Sequence, residues 1–220
     1  MADTGEGAEI VSKIGPDLRP SSKRKYLAIV AAAREQFLEH GFSESSVDAI
    51  ADSAGVSKRT VYKHFEDKQA LFAAVVDWLC HKVPPPALEA IIENDPEPVS
   101  VLTEIGVHIL TNIYTREQIE LFRVAVTDAR RFPEIGRMMF EQVTRTEHTI
   151  GSYLERLSKS GRIDLPCPDI AAAQFLGLLK TDMQMKLLFG DRKRITQPEI
   201  RHIAECCARL FLNGCGTGNA

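Results

Sequence analysis

Apolar residues recur at three- and four-residue spacing along most of the chain, the period of helices with one buried face. In "KYLAIVAAAREQFLEHG" the spacing puts Ile29, Val30, Ala33 and Phe37 on one face, and Gly41 closes the run. "SSVDAIADSAG" follows, with Val47, Ile50, Ala51 and Ala54 at helical spacing. Ser45 is the expected cap, with Asp48 three residues on in a capping-box-like start. Gly55 ends that helix and Ser57 is placed to cap the next. Two short helices joined by a tight turn containing Gly form a helix-turn-helix pattern. A further helix restarts at Asp67, carries Leu71, Val75, Trp78 and Leu79 on its apolar face, and stops before the prolines at 84–86.

Beyond the prolines the pattern predicts helices at 98–113, 115–130, 133–160, 168–190 and 197–213. Pro133, Gly161, the Pro166/Pro168 pair and Gly190 mark the breaks. Alternating β-branched runs and hairpin turns are lacking, so the expected fold is all-α. Residues 1–21 are polar, interrupted by Gly and Pro, and read as a flexible arm. The expected domains are 22–82 and 83–215, with 216–220 as a flexible tail.

Composition narrows the class without naming it. The 220 residues are 44% hydrophobic and 26% charged, ordinary for a globular protein. No apolar run approaches the ~20 residues of a membrane-spanning helix, and the N-terminus lacks a secretory pattern, so a cytoplasmic location is expected. The net charge is −3. Between Arg19 and Lys82 ten Lys and Arg meet eight Asp and Glu, whereas the remainder has 17 against 22. That excess is too modest to imply nucleic acid by itself. Cysteines at 80, 167, 206, 207 and 215, without a C-x-x-C pair, argue against both a disulfide framework and a zinc site. Cys206 and Cys207 read as small core or interface residues, with a redox sensor as the other reading.

Position says more than the total. With about 100° per residue and Val61 at zero, Phe65 falls near 40°, Arg59 near 160° and Lys63 near −160°. The stretch "GVSKRTVYKHF" therefore anchors by Val61 and Phe65 and aims Arg59 and Lys63 outward, with Thr60 and Tyr62 on the shoulders. Such a helix suits a DNA major groove, where Arg and Lys reach guanine O6 and N7 and shoulder hydroxyls reach the phosphate walls. Lys58 and Arg59 stand in its first turn and Lys68 begins the next helix, where the helix dipole disfavours cations. Phosphates in front of both helix starts would account for them. A solvated face is the alternative for the isolated string. Lys23, Arg24 and Lys25 fit either backbone or minor-groove contacts or a plain helix start.

The run "AAAREQFLEHGFSESSVDAIADSAGVSKRTVYKHFEDKQALF" resembles the N-terminal module of the TetR/AcrR family of bacterial transcriptional regulators. The likeness covers residues 22–82. It implies a three-helix DNA-binding domain joined by a fourth helix to a larger helical domain for ligand binding and dimerisation. By the resemblance, Tyr62, His64 and Lys68 match positions that contact phosphates. Ser45 and Ser46 match a hydroxyl pair at the second helix, and Lys58, Arg59, Thr60 and Lys63 match base-reading positions. His64 turns toward the core side of its helix, so a structural histidine under Phe37 or Phe65 stands beside that role. "FRVAVTDARRFPEIGRMMFE" and "LERLSKSGRIDLPCPDIAAAQFLGLL" resemble the AefR-like subgroup.

The last two predicted helices are apolar on more than one side and so must be buried twice, against their own core and against a partner. Phe175, Leu179, Met183, Leu187, Ile203, Cys207, Leu210 and Phe211 are the expected homodimer residues, in keeping with the family resemblance. A two-fold dimer presents its reading helices to successive major grooves and implies a roughly palindromic operator. In 115–130, Ile119, Phe122, Val126 and Ala129 form the expected inner face, with Arg123 either lining a cavity for an anionic effector or snorkelling outward. Met138 and Met139 suit the same hydrophobic pocket, alongside plain core packing.

"NGCGTGNA" imitates a phosphate loop but has no strand before it and no helix after it. The six histidines lack H-E-x-x-H spacing and no G-x-S-x-G elbow occurs, so no catalytic residue, cofactor or metal is expected. The sequence reads as a DNA-binding transcriptional regulator, by default a ligand-released repressor on double-stranded operator DNA. An activator of the same fold and a helical interaction module are the alternatives.

Overall fold

The computed structural model describes residues 20–80 and 97–215. The N-terminal arm up to residue 19, the prolines at 84–86, the domain boundary at 82/83 and the tail 216–220 lie outside the described residues. Among those described, ten helices and no strand occur: α1 (Pro20–Glu44), α2 (Val47–Ser53), α3 (Lys58–His64), α4 (Lys68–Cys80), α5 (Pro98–Ile113), α6 (Arg116–Asp128), α7 (Pro133–Lys159), α8 (Ala171–Lys180), α9 (Met183–Phe189) and α10 (Gln197–Cys215). The expected all-α fold is what forms.

Two compact units divide the chain. The first unites the N-terminal helices with Glu120–Met139, and the second, among the described residues, unites 97–119 with 140–215. The expected N-terminal domain ended at 82; the first unit also holds most of α6 and the start of α7.

In the first unit, α1 buries Ile29, Val30, Ala33 and Phe37 as its period requires. Gly41 (φ 80°, ψ 172°) breaks the helical run, a conformation that an L side chain resists. Phe42, just past the break, meets Phe37, Phe72 and Phe132 at ring-centre distances of 5.7, 5.4 and 4.9 Å. The α2–α3 turn is a Schellman motif: Gly55 N–H donates to Asp52 O (3.1 Å) and Val56 N–H to Ala51 O (3.0 Å), with Gly55 at φ 65°. Ser57 then caps α3 as expected, its Oγ accepting from Thr60 N–H.

In the second unit, α10 lies along α5. A Cβ on Gly106 would stand 2.9 Å from Leu179 Cδ2 and 3.0 Å from Ala204 Cβ, so glycine is what permits the approach. Leu102, Leu110, Ile150, Leu154 and Phe175 fill the core between these helices and α7 and α8. The single helix expected at 168–190 is two. Thr181 adopts φ 46°, and the Lys180 carbonyl accepts the Tyr114 hydroxyl instead of continuing the helical ladder. Asp182 and Met183 start α9 afresh, with Met183 N–H bonded to Thr181 Oγ1.

Candidate nucleic-acid interface

Helix α3 is built as its sequence demands. Val61 and Phe65 are buried in the first unit, while Lys58, Arg59, Tyr62 and Lys63 are exposed. Thr60 is half-buried, and its hydroxyl shares a 2.8 Å hydrogen bond with Ser57 Oγ, so the cap also fixes its orientation. His64 is half-buried, edge-on to Tyr26 at 6.1 Å and tilted against Phe65 at 6.4 Å. Its aromatic neighbours are thus Tyr26 and Phe65 rather than Phe37. Burial, then the charges of Lys63 and Lys25, hold its pKa below the ordinary histidine value.

The serine pair divides differently from the expectation. Ser46, not Ser45, caps α2, accepting from Ala49 N–H at 3.1 Å. Ser45 is buried, and its hydroxyl donates to the Gln36 and Gly41 carbonyls, closing the α1 break. Only Ser46 of the two faces outward.

Of the three cations at helix starts, the two lysines have protein partners. Lys58 Nζ bonds Asp48 Oδ2 at 2.9 Å, across the turn from the start of α2. Lys68 Nζ donates to Ser43 O at 3.3 Å and sits 4.7 Å over the Phe42 ring. Burial lowers the Lys68 pKa, against the pull of Asp128 and Glu44. Asp67 Oδ1 accepts from Ala70 N–H and supplies the cap that offsets a lysine there. Phosphates are therefore not needed to account for either lysine. The other cations of α3, Arg59 and Lys63, are exposed on its outward face.

The expected effector residues share one unit of the chain. Phe122, Arg123, Val126, Met138 and Met139 all belong to the first unit. Phe122 and Val126 are exposed, Val126 at 66%, and Arg123 is ion-paired with Glu120. Met138 and Met139 pack against the first unit's core beside Phe132. Of the expected inner face Ile119 is buried and Ala129 half-buried, and the other buried residues of α6 are Leu121, Val124, Ala125 and Asp128. Asp128 is the residue the sequence did not flag: its Oδ2 accepts the backbone N–H of Phe42 (2.8 Å) and Ser43 (3.3 Å). Arg131 adds a bond to Ser43 Oγ, and Gln69 one to Glu134. An acidic residue ending an amphipathic helix reads as solvated, and nothing local announces acceptors for amides 86 positions away.

Of the expected dimer residues, Phe175, Leu179, Met183, Leu187, Cys207 and Phe211 are buried within their own chain, and Ile203 is half-buried. Leu210 is exposed at 61%. Ile170, Met185 and Phe189 share that exposure, Phe189 at 78%. The core of one chain uses most of the residues assigned to a partner, and this other set faces outward.

Comparison with known proteins fixes the family. Residues 29–75 match the model for bacterial regulatory proteins of the tetR family, and residues 100–215 match the C-terminal domain of AefR-like transcriptional repressors. The chain belongs to the TetR family. It is 30% identical to the HTH-type transcriptional regulator AcrR of Shigella flexneri over 57% of each chain, so the match spans little more than half of that relative. A putative TetR-family regulator from Mesorhizobium loti superposes with a TM-score of 0.74 at 26% identity, covering 89% of this chain and 98% of that one. The flavonoid-responsive regulator FrrA gives 0.70 at 30%, covering 87% and 97%. TetR-family proteins are DNA-binding transcription regulators rather than enzymes, and they act as dimers that respond to small molecules. Among the described residues no helix is long and apolar enough to cross a membrane.

Proposed function

We propose that this TetR-family chain is a dimeric repressor that occupies a roughly palindromic operator and leaves it when a small effector binds. One observation carries the reading: α3 is anchored by Val61 and Phe65 and turns Arg59 and Lys63 outward. Arg59 and Lys63 read base edges, with Thr60 and Lys58 beside them once Lys58 exchanges Asp48 for DNA. Tyr62, His64 and Ser46 face the sugar-phosphate walls. Lys68, tied to Ser43, braces the start of α4 behind them.

The effector site belongs to the second unit. Thr103 Oγ1 is buried there with no hydrogen-bond partner among the described residues, which favours an apolar molecule carrying a hydrogen-bonding group. Because FrrA is described as flavonoid-responsive, hydroxylated aromatics are the first class to screen.

Selection of bound duplexes from a random library, with wild type and an Arg59→Ala/Lys63→Ala variant in parallel, tests the reading. Wild type enriches an inverted repeat whose half-sites stand ~34–36 Å apart, and the variant loses or alters it. Equal enrichment by both proteins removes the base-reading assignment.

A further inference from the structure

The first turns of α1 lie beside the C-terminal end of α3, and aromatic contacts fix them there. The Tyr26 ring meets Phe65 at 5.0 Å and stands edge-on to His64 at 6.1 Å. Tyr26 packs on the core that holds Val61 and Phe65, so α1 is tied at this end to the anchor of α3. At about 100° per residue Lys25 stands about 100° round the helix from Tyr26, and Arg24 about 200°. Lys25 therefore flanks the contact with α3, whereas Arg24 is on the opposite side of the same turn. Both are exposed.

The charge around this junction is of one sign. The first turn of α1 holds no acidic residue. The charges that His64 feels are both positive, Lys63 from its own helix and Lys25 from α1. Two helices thus bring cations to one half-buried imidazole, at the edge of the surface where Arg59 and Lys63 face outward. Like charges held close cost the free chain energy. A nucleic-acid strand, with one phosphate about every 3.4 Å, offsets that cost. The form of the segment decides which part of a duplex it meets. A helix with its side chains is about 10–12 Å across and the minor groove only about 6 Å wide, so α1 cannot enter the groove.

We propose that Lys25 holds a backbone phosphate just outside the half-site read by α3, next to the wall assigned to His64. The contact rests on the operator-binding reading above and extends it to a second helix. It adds affinity and fixes the register of α3 without reading sequence. Arg24, turned away from α3, takes no part.

The test compares wild type, Lys25→Ala, Lys25→Arg and Arg24→Ala as full chains, each shown by circular dichroism to be folded. Each is titrated into two labelled duplexes, the inverted repeat recovered by selection and a random sequence of equal length, from about 50 to about 200 mM salt. Lys25→Ala binds both duplexes more weakly by the same factor. Its salt slope is shallower by about 0.9 per chain, about 1.8 for a dimer, so its deficit against wild type shrinks about tenfold over that range. Lys25→Arg and Arg24→Ala keep the wild-type slope. An unchanged slope in Lys25→Ala overturns the contact and leaves the role of α3 standing. Equal effects of Lys25→Ala and Arg24→Ala also overturn it, because a diffuse field rather than a placed side chain would then act. A loss confined to the inverted repeat overturns the backbone assignment. If wild type itself prefers no duplex, the operator reading falls and the contact with it.

Discussion

Asp128 shows how much one side chain can settle. It is 7% exposed, in contact with water almost nowhere, and its carboxylate accepts the first two amides after the Gly41 break. Lys68 lies close enough to feel its charge and holds the Ser43 carbonyl of the same turn. Removing the carboxylate strands two backbone donors, each costing about 1–3 kcal/mol when buried. Asp128→Ala therefore lowers the stability of the first unit by about 2–4 kcal/mol. Asp128→Asn, which keeps an acceptor oxygen, lowers it less. The chain's one tryptophan, Trp78, belongs to the first unit, so its fluorescence in a denaturant titration reports the shift. Equal midpoints for wild type and Asp128→Ala would show that water replaces the carboxylate without loss. Reading α6 by hydrophobicity alone selected Phe122 and Val126 for burial. The buried face includes a carboxylate whose partners are remote in sequence, so periodicity could not find it. Arg59 and Lys63 were legible because they lie opposite a two-residue apolar anchor within one short helix.

At the level of elements, the chain declares its helices wherever start and stop signals are local. Ser57 and Gly55 bound the reading turn as their chemistry predicts, and Pro98 and Pro133 open α5 and α7. The break between α8 and α9 is different. Thr181 is neither Gly nor Pro, and its positive φ is stabilised by a tyrosine from the end of α5 that takes the Lys180 carbonyl. The packing of α5 on α10 is likewise set by a pair, Gly106 and Ala204, that only tertiary structure brings together. Gly106→Val overpacks this contact and costs about 1–3 kcal/mol. Gly106→Ala gains up to about 1 kcal/mol of helix propensity, which offsets part of its smaller clash. Thermal unfolding followed by circular dichroism should rank wild type and alanine above valine. If valine matched wild type, the two helices would have room to separate and the close approach would not be a requirement of the fold.

For the molecule as a whole, the phosphate contact proposed for His64 would link DNA binding to proton binding. In the free chain, burial and then the charges of Lys63 and Lys25 depress its pKa, so the ring is neutral at pH 7. A phosphate beside the ring favours the protonated form and raises that pKa in the complex. The complex then binds a proton that the free chain does not, and operator affinity rises as pH falls between the two values. The slope approaches one decade per pH unit for each His64 that takes up a proton. Folding runs the other way. His64 and His108 are both depressed by burial, so the stability they contribute is present above the ordinary value of 6.5 and is lost as pH falls through their lowered values. The two effects separate when affinity is measured only at pH values where circular dichroism shows an intact fold. There, tighter operator binding at pH 6 than at pH 7.5 should flatten in His64→Gln, which keeps a polar side chain and cannot titrate. An unchanged slope in that variant would place His64 with Tyr26 and Phe65 as a packing residue and leave the phosphate wall to Tyr62 and Ser46. The retained slope would then have to come from another titrating group on the reading surface.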